Sequence, residues 1–105
     1  MDEAQYQQEI DDIFVDVEDA IDETDLDVDV DSSGGILTVT FEDGSAIILS
    51  RQPAARELWV AAKSGGFHLS KVDDVWQCGT TGESLQVLLN RTFTEQSGME
   101  VSLLD

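Results

Sequence analysis

Carboxylate side chains dominate the first 31 residues of this chain. That segment carries 14 of the 23 acidic residues, and the first basic side chain is Arg51. Carboxylate oxygens are hard ligands, which suit Mg, Ca, Mn and iron better than zinc or copper. They also attract basic protein surfaces. The sequence therefore predicts that this segment captures cations or docks onto a basic partner, the alternative being an acidic surface that only keeps the protein in solution.

The net charge of the chain restricts its partners. With 23 acidic and 5 basic residues, the net charge is -18 at pH 7. A protein with this charge repels nucleic acid and anionic membranes. We therefore expect no nucleic-acid ligand and no membrane partner.

Apolar residues among these acids repeat with the period of an α-helix. They fall 3 and 4 residues apart and predict an amphipathic helix of about five turns, with Tyr6, Ile10, Ile13, Phe14, Val17, Ala20 and Ile21 on one side. The other side is acidic and places like charges four residues apart, as in Asp12 and Asp16 or Glu18 and Asp22. Each such pair destabilises a helix by roughly 0.2 to 0.5 kcal/mol. A repeated departure from the stable pattern indicates a functional surface.

After the helix, acidic and apolar residues alternate, in the order Asp25, Leu26, Asp27, Val28, Asp29, Val30 and Asp31. This period of two predicts a half-buried strand over 25–31 with its carboxylates on one side. The spacing also suggests a calcium-binding EF-hand loop. That reading fails because positions 6 and 12 of the loop, which require Gly and Glu, are Val30 and Ile36.

Five more strands follow, joined by short turns. The sequence predicts strands at 36–41, 45–49, 58–62, 67–69 and 75–78, with turns at 32–35, 43–44, 65–66 and 73–74. Helical spacing then returns in Leu85, Leu88, Leu89 and Phe93. Thr81 is the predicted N-cap of this second helix, and Gly98 ends it. An apolar tail follows that we expect to pack in a groove between the helices, with Val101, Leu103 and Leu104.

These elements predict one α+β domain over residues 1–105. In this two-layer sandwich the N- and C-terminal helices pack on one face of an antiparallel sheet of about six strands. Alternation within 58–62 sends Trp59 to the other, open face, near Thr38 and Thr40. An exposed tryptophan on a sheet is a candidate contact for a protein partner, and burial under a loop is the alternative.

The residues of classical catalytic centres are missing. His68 is the single histidine, so neither a histidine metal triad nor the Glu-x-x-His pairs of di-iron bundles can form. We expect no enzyme active site. Cys78 is the single cysteine, which excludes an internal disulfide, fits a reducing compartment and is interpreted as a small, partly buried hydrophobe. Because no targeting or membrane-spanning pattern is visible, a cytoplasmic location is predicted.

Short segments spread over the chain form a specific combination: 34–41 (GGILTVTF), 50–52 (SRQ), 59–61 (WVA), 65–68 (GGFH), Trp76 and 82–84 (GES). This combination resembles the frataxin family, specifically its bacterial CyaY type, over essentially the whole chain. Ser50, Pro53 and Phe67 depart from the family pattern. If these three positions lie on the sheet surface, as we expect, they affect the details of scaffold contact more than the acidic site.

The resemblance implies a function as well as a fold. It implies weak binding of ferrous or ferric iron and regulation of iron–sulfur cluster assembly through a cysteine desulfurase and its scaffold protein. The acidic ridge that would bind the metal consists of Glu18, Asp19, Asp22, Glu23, Asp25, Asp27, Asp29 and Asp31. The residues implied in partner binding are Glu18, Asp19, Asp22, Glu23, Thr38, Thr40 and Trp59.

Two other functions stay open. One is an acidic interaction protein without a metal role, a nucleic-acid mimic whose carboxylates occupy the groove of a DNA-binding protein. The other is a ferroxidase-like enzyme, which ranks last because no caged di-iron ligand set is visible. We expect a monomer, with iron-dependent oligomers as the alternative.

Overall fold

The computed structural model describes residues 1–104, with two helices and one six-stranded sheet. The elements in chain order are α1 (Glu3–Asp22), β1 (Asp29–Ser33), β2 (Ile36–Thr40), β3 (Ala46–Gln52), β4 (Glu57–Ala62), β5 (Gly65–Val72), β6 (Val75–Cys78) and α2 (Leu85–Ser97). Each strand pairs antiparallel with the next along the chain. Both helices pack on one face of this sheet, which confirms the predicted two-layer α+β sandwich.

Alternation along the strands decides which side chains are buried. In β2, Leu37 and Val39 are fully buried, while Thr38 and Thr40 are half-buried on the opposite face. β4 follows the same rule, with Leu58 and Val60 inside. The buried side of α1 consists of Tyr6, Ile10, Phe14, Val17 and Ile21. One apolar core therefore fills the space between the helices and one face of the sheet.

Tyr6 joins α1 to the connection between β3 and β4. Its ring is fully buried and lies 6.3 Å from that of Trp76, centroid to centroid. Its hydroxyl donates a hydrogen bond to the Glu57 carbonyl at 2.5 Å and accepts one from the Gln52 amide at 2.9 Å. Because these groups lie on adjacent strands, Tyr6 sets the position of α1 along the sheet.

The two ends of α1 differ in their electrostatics. At the N-terminus, the Asp2 carboxylate accepts a hydrogen bond from the Gln5 amide at 2.8 Å, and the Gln5 side chain closes a capping box. No basic residue lies in the last turn. Asp22 and Glu23 instead stand at the negative end of the helix dipole, where carboxylates are unfavourable.

The β1–β2 hairpin differs from the prediction. β1 begins at Asp29, four residues later than expected, and its turn contains only Gly34 and Gly35. Both glycines have positive φ, 60° and 81°, which matches a two-residue hairpin turn. Residues 25–28 form no strand because β2 ends at Thr40, so they have no partner to pair with. β1 is exposed along its whole length, so the predicted half-buried strand was wrong.

Two other boundaries also required correction. β5 already includes Gly65 and Gly66, because the turn lies at 63–64 and Ala62 pairs with Gly65. The N-cap of α2 is Ser84, whose hydroxyl accepts a hydrogen bond from the Val87 amide at 3.2 Å. Thr81 precedes the helix and accepts from the Glu83 amide instead. The predicted end of α2 at Gly98, which has φ 73°, is confirmed.

The segment after α2 packs as expected. Val101 and Leu103 are buried. The Leu103 amide donates to the Asn90 side chain at 2.7 Å, and the Val101 amide donates to the Thr94 hydroxyl at 3.0 Å. These bonds hold the tail along α2, and its Leu104 borders a surface depression shared with α1.

No helix within residues 1–104 combines the length and apolar character needed to cross a lipid bilayer.

Replacing Tyr6 with Phe should lower the free energy of unfolding by about 1 to 3 kcal/mol. The ring packing is kept, but the Glu57 carbonyl and Gln52 amide lose their common partner. Urea denaturation of the wild type and Tyr6→Phe would measure this difference, with an unchanged m-value expected. Equal stability of the two proteins would contradict the role given to the hydroxyl.

Replacing Asp22 with Asn should raise the melting temperature by a few degrees. The change removes a negative charge from the unfavourable end of α1 and its repulsion with Glu18 and Asp19, together roughly 0.5 to 1 kcal/mol. The matched control is Asp11→Asn on the same helix. Asp11 lies 3.6 Å from the Arg51 guanidinium, so its neutralisation should not stabilise. A lower melting temperature for Asp22→Asn would refute the repulsion.

Candidate functional site

The structure divides the acidic ridge into three parts. Four of its residues belong to α1 or its end, Glu18, Asp19, Asp22 and Glu23. Asp25 and Asp27 lie in the connection between α1 and β1, and Asp29 and Asp31 lie in β1. All eight are exposed to solvent except Glu18, which is half-buried. The carboxylates are therefore accessible, but they do not form one line.

The helical part faces the C-terminal tail. Asp19 and Glu23 border an open depression of about 470 Å³, whose far side is formed by Ser102 and Leu104. Asp16 borders it too, although it was not among the predicted ridge residues. Its spacing of three residues from Asp19 and seven from Glu23 places it on the same side of the helix, so the helical period could have identified it.

The middle part brings together carboxylates that are distant in sequence. Asp27 and Glu42 share a hydrogen bond between their side chains. This bond and the negative charge of Asp27 raise the pKa of Glu42. Asp25 and Asp43 border the same depression, of about 230 Å³. A cation bound between two such carboxylates would remove the repulsion between their charges.

Glu42 was missed because the hairpin turn was placed wrongly. Asp29 pairs with Thr40 in the antiparallel hairpin. Two residues before Asp29 is Asp27, and two residues after Thr40 is Glu42, so the same register brings these two side chains together. A two-residue turn at Gly34 and Gly35 predicts that Asp27 lies opposite Glu42. The expected turn over 32–35 shifts the register of the hairpin and therefore does not bring these two residues together. The Gly-Gly preference of such turns was the available signal.

Asp43 is held differently from Glu42. The hydroxyl and amide of Ser45 both donate hydrogen bonds to its carboxylate, at 2.6 and 2.9 Å. These bonds, helped by the positive charge of Lys63, lower the pKa of Asp43. Asp43 therefore stays ionised beside the Asp27–Glu42 pair and adds negative charge to the depression.

The strand part of the ridge faces another direction. Asp29 and Asp31 stand opposite Thr40 and Thr38. Directly paired residues share a face of the sheet, and Thr38 and Thr40 lie on the open one. The ridge therefore passes around the edge of the sandwich, from the helical layer to the open face.

Within residues 1–104, no three side chains among the His, Cys, Asp and Glu residues converge closely enough to enclose a metal ion. The acidic surface instead presents pairs of carboxylates, of which Asp27 and Glu42 are in direct contact. Two oxygen-bearing side chains leave most coordination positions of a hard cation to water. This arrangement is suited to weak, reversible binding.

Trp59 lies on the open face, as the alternation in β4 predicts. Its side chain is 36% exposed, which excludes burial under a loop. The indole Nε1 donates a hydrogen bond to a carboxylate oxygen of Glu57 at 2.9 Å. His68, whose role the sequence did not reveal, stacks on the indole with 4.1 Å between ring centroids and 7° between planes.

Cys78 is not part of either surface. It is buried in the core, 1% exposed, in agreement with its interpretation as a hydrophobe. Burial raises the pKa of the thiol, but hydrogen bonds with Thr80 and Thr81 outweigh this effect and lower it to about 7. The Thr80 hydroxyl lies 3.3 Å from the sulfur.

Comparison with known proteins identifies relatives over the whole chain. Residues 1–99 match the frataxin-like domain. A relative from Stutzerimonas stutzeri, named iron-sulfur cluster assembly protein CyaY, is 50% identical over 98% of this chain and 96% of its own length. The protein of the same name from Pseudomonas aeruginosa is 48% identical over 96% of this chain and 95% of its own length.

Solved structures agree with the sequence comparison. Frataxin from Psychromonas ingrahamii, a member of the CyaY family, is 27% identical and superposes over 100% of both chains with a TM-score of 0.92. Trimeric frataxin from Saccharomyces cerevisiae, complexed with ferrous iron, shares the fold at 18% identity, with a TM-score of 0.70 over 93% of this chain and 88% of its own. The domain match and the full-length relatives show that this chain belongs to the frataxin family, in its bacterial CyaY group.

Proposed function

We propose that this protein is a non-enzymatic regulator of iron–sulfur cluster assembly in the cytoplasm. It binds iron weakly at the acidic ridge and docks on a cysteine desulfurase and its scaffold protein. The observation that carries this proposal is the exposed Asp27–Glu42 pair, in which Asp27 raises the pKa of the Glu42 carboxyl, beside Asp25 and Asp43. The names of the full-length relatives support the assignment to cluster assembly.

Iron is cargo in this proposal and not a resident cofactor. Two carboxylates that repel each other gain most when a divalent or trivalent cation replaces their proton. Because both side chains are open to solvent and no third side chain within residues 1–104 completes an enclosing ligand set, the binding energy stays small and the ion can leave. A protein that senses iron or delivers it requires this reversibility.

The negative charge of the acidic ridge also attracts a protein partner, over a longer distance than it acts on a bound ion. The ridge concentrates carboxylates at one edge of a molecule whose net charge is -18, and Asp19, Asp22 and Glu23 are exposed there. A basic desulfurase surface is attracted to such an edge, and salt screens the attraction. The open sheet face beside it carries Trp59, Thr38 and Thr40, and it supplies the contact with the scaffold protein. The protein acts as a monomer in this arrangement.

Titration with ferrous iron under anaerobic conditions should perturb the backbone amide signals of Asp25, Asp27 and Glu42 first. Glu42→Gln should weaken binding roughly tenfold, because it removes one of the two carboxylates beside the divalent ion at an exposed, screened site. Glu95→Gln is the matched control, since Glu95 is exposed on α2 and pairs with Arg91 at 3.3 Å. Equal affinities for the two variants would contradict the site.

The same titration should depend on pH with a defined sign. Because the pKa of Glu42 is raised, its carboxyl keeps a proton at pH values where ordinary glutamates have lost theirs. Iron must displace that proton, so affinity should increase as pH rises through the raised pKa. The Glu42→Gln variant should lose this dependence. A wild-type affinity independent of pH across that range would argue against proton exchange.

Removing three ridge charges should weaken binding to the cysteine desulfurase roughly tenfold at low salt. The variant is Asp19→Asn with Asp22→Asn and Glu23→Gln. Its matched control, Asp73→Asn with Asp74→Asn and Glu95→Gln, removes the same charge from the β5–β6 turn and α2. Calorimetry at two salt concentrations would separate them, because the ridge effect should shrink as salt increases.

Equal loss in the two triple variants would mean that only net charge matters and would refute a specific ridge contact. A pull-down that recovers a DNA-binding protein and no desulfurase would instead support the nucleic-acid mimic.

A further inference from the structure

Trp59 is held on two sides by neighbours that the proposed function does not use. Glu57, two residues earlier in β4, lies on the same face and accepts the indole N–H at 2.9 Å. His68 stands directly opposite Trp59 on β5. Its imidazole lies parallel to the indole, within 7°, at 4.1 Å between centroids. One contact restrains the edge of the indole and the other covers one of its faces.

Trp59 is 36% exposed although His68 covers one face of its indole. Adjacent strands lie about 4.8 Å apart, close to the ring separation, so the two rings stand side by side above the sheet. The uncovered face is then directed toward β3, where the residue opposite Trp59 is Ser50. Beyond Ser50, the next residue across the sheet is Ile36, which is 46% exposed. A small side chain thus separates two large apolar ones.

This stack lies outside the core of the domain. Trp59 and His68 are both exposed, and the core lies on the opposite face of the sheet. A free tryptophan on a surface samples several rotamers and must give up that freedom when it is buried in an interface. Restraining it beforehand reduces this loss, which for one large side chain corresponds to roughly 2- to 10-fold in affinity.

We propose that His68 and Glu57 are positioning residues that hold the Trp59 indole upright, so that its free face, above Ser50, receives an apolar or planar side chain of the scaffold protein. This inference rests on the proposed docking function. The scaffold protein is the occupant we favour because the open-face residues on the free side of the indole, Ser50, Ile48 and Ile36, are uncharged, whereas the Glu57 carboxylate beside Trp59 is engaged by the indole N–H. The basic desulfurase is instead complementary to the acidic ridge.

The test compares His68→Ala with His68→Phe, using Trp59→Ala as the reference for loss of the anchor. Phe keeps a flat ring against the indole, whereas Ala removes it. The first measurement follows the Trp59 indole N–H by ¹⁵N relaxation in the free protein, assigned by its absence in Trp59→Ala. The second measures affinity for the scaffold protein of the same bacterium by calorimetry.

His68→Ala should increase the mobility of the Trp59 indole and weaken scaffold binding about 3- to 10-fold, and His68→Phe should restore both to near wild type. Glu57→Gln, which keeps an acceptor for the indole N–H, should change affinity less than Glu57→Ala. A purely structural histidine would alter stability without this paired change in mobility and affinity.

Two results would overturn the inference in distinguishable ways. If Trp59→Ala weakens binding but His68→Ala changes neither mobility nor affinity, the positioning role is wrong while docking through Trp59 stands. If the scaffold protein binds Trp59→Ala as tightly as the wild type, docking through this face is wrong, and the positioning role fails with it.

Discussion

Burial of the apolar side of α1 against the sheet is the constraint on which the other features of this protein depend. A helix with one apolar stripe can be stable here only with that stripe inward. This orientation turns its carboxylates outward and leaves the opposite face of the sheet uncovered. The Tyr6 hydroxyl fixes the helix along the sheet through the backbones of β3 and β4. Both candidate binding surfaces, the acidic ridge and the face that carries Trp59, are consequences of this one packing arrangement.

The edge of the sheet adds a second constraint. β1 is an exposed edge strand, and such strands invite unwanted pairing with other chains unless charge or irregularity protects them. Asp29 and Asp31 supply charge along this edge. The hairpin that positions β1 also carries Asp27 to Glu42, so this contact between carboxylates is created by strand register and not by the helix. The charge that protects this edge from aggregation therefore lies beside the carboxylates of the proposed cation site.

Much of the fold could be predicted from residue pattern alone. Apolar residues 3 and 4 apart placed α1, alternation placed Leu58 and Trp59 on opposite faces, and Gly98 ended α2 where its left-handed conformation required it. The predictions failed where the local residue pattern disagreed with the pairing of strands in the folded sheet. Alternating aspartates over 25–31 predicted a strand, but a strand needs a neighbour, and β2 extends only far enough to pair from Asp29 onward. Thr81 was predicted as the N-cap, but the Ser84 hydroxyl accepts the Val87 amide and caps the helix.

The sequence by itself determined the sign and position of the charge, the two layers and the face of the sheet on which Trp59 lies, because each depends on composition or on a period within one element. Only the tertiary structure decided which carboxylates meet. It separated Asp29 and Asp31 from the helical acids, joined Asp27 to Glu42, and set His68 against Trp59. These contacts join residues on different elements, and their geometry depends on strand register, which a shift of a single residue would change.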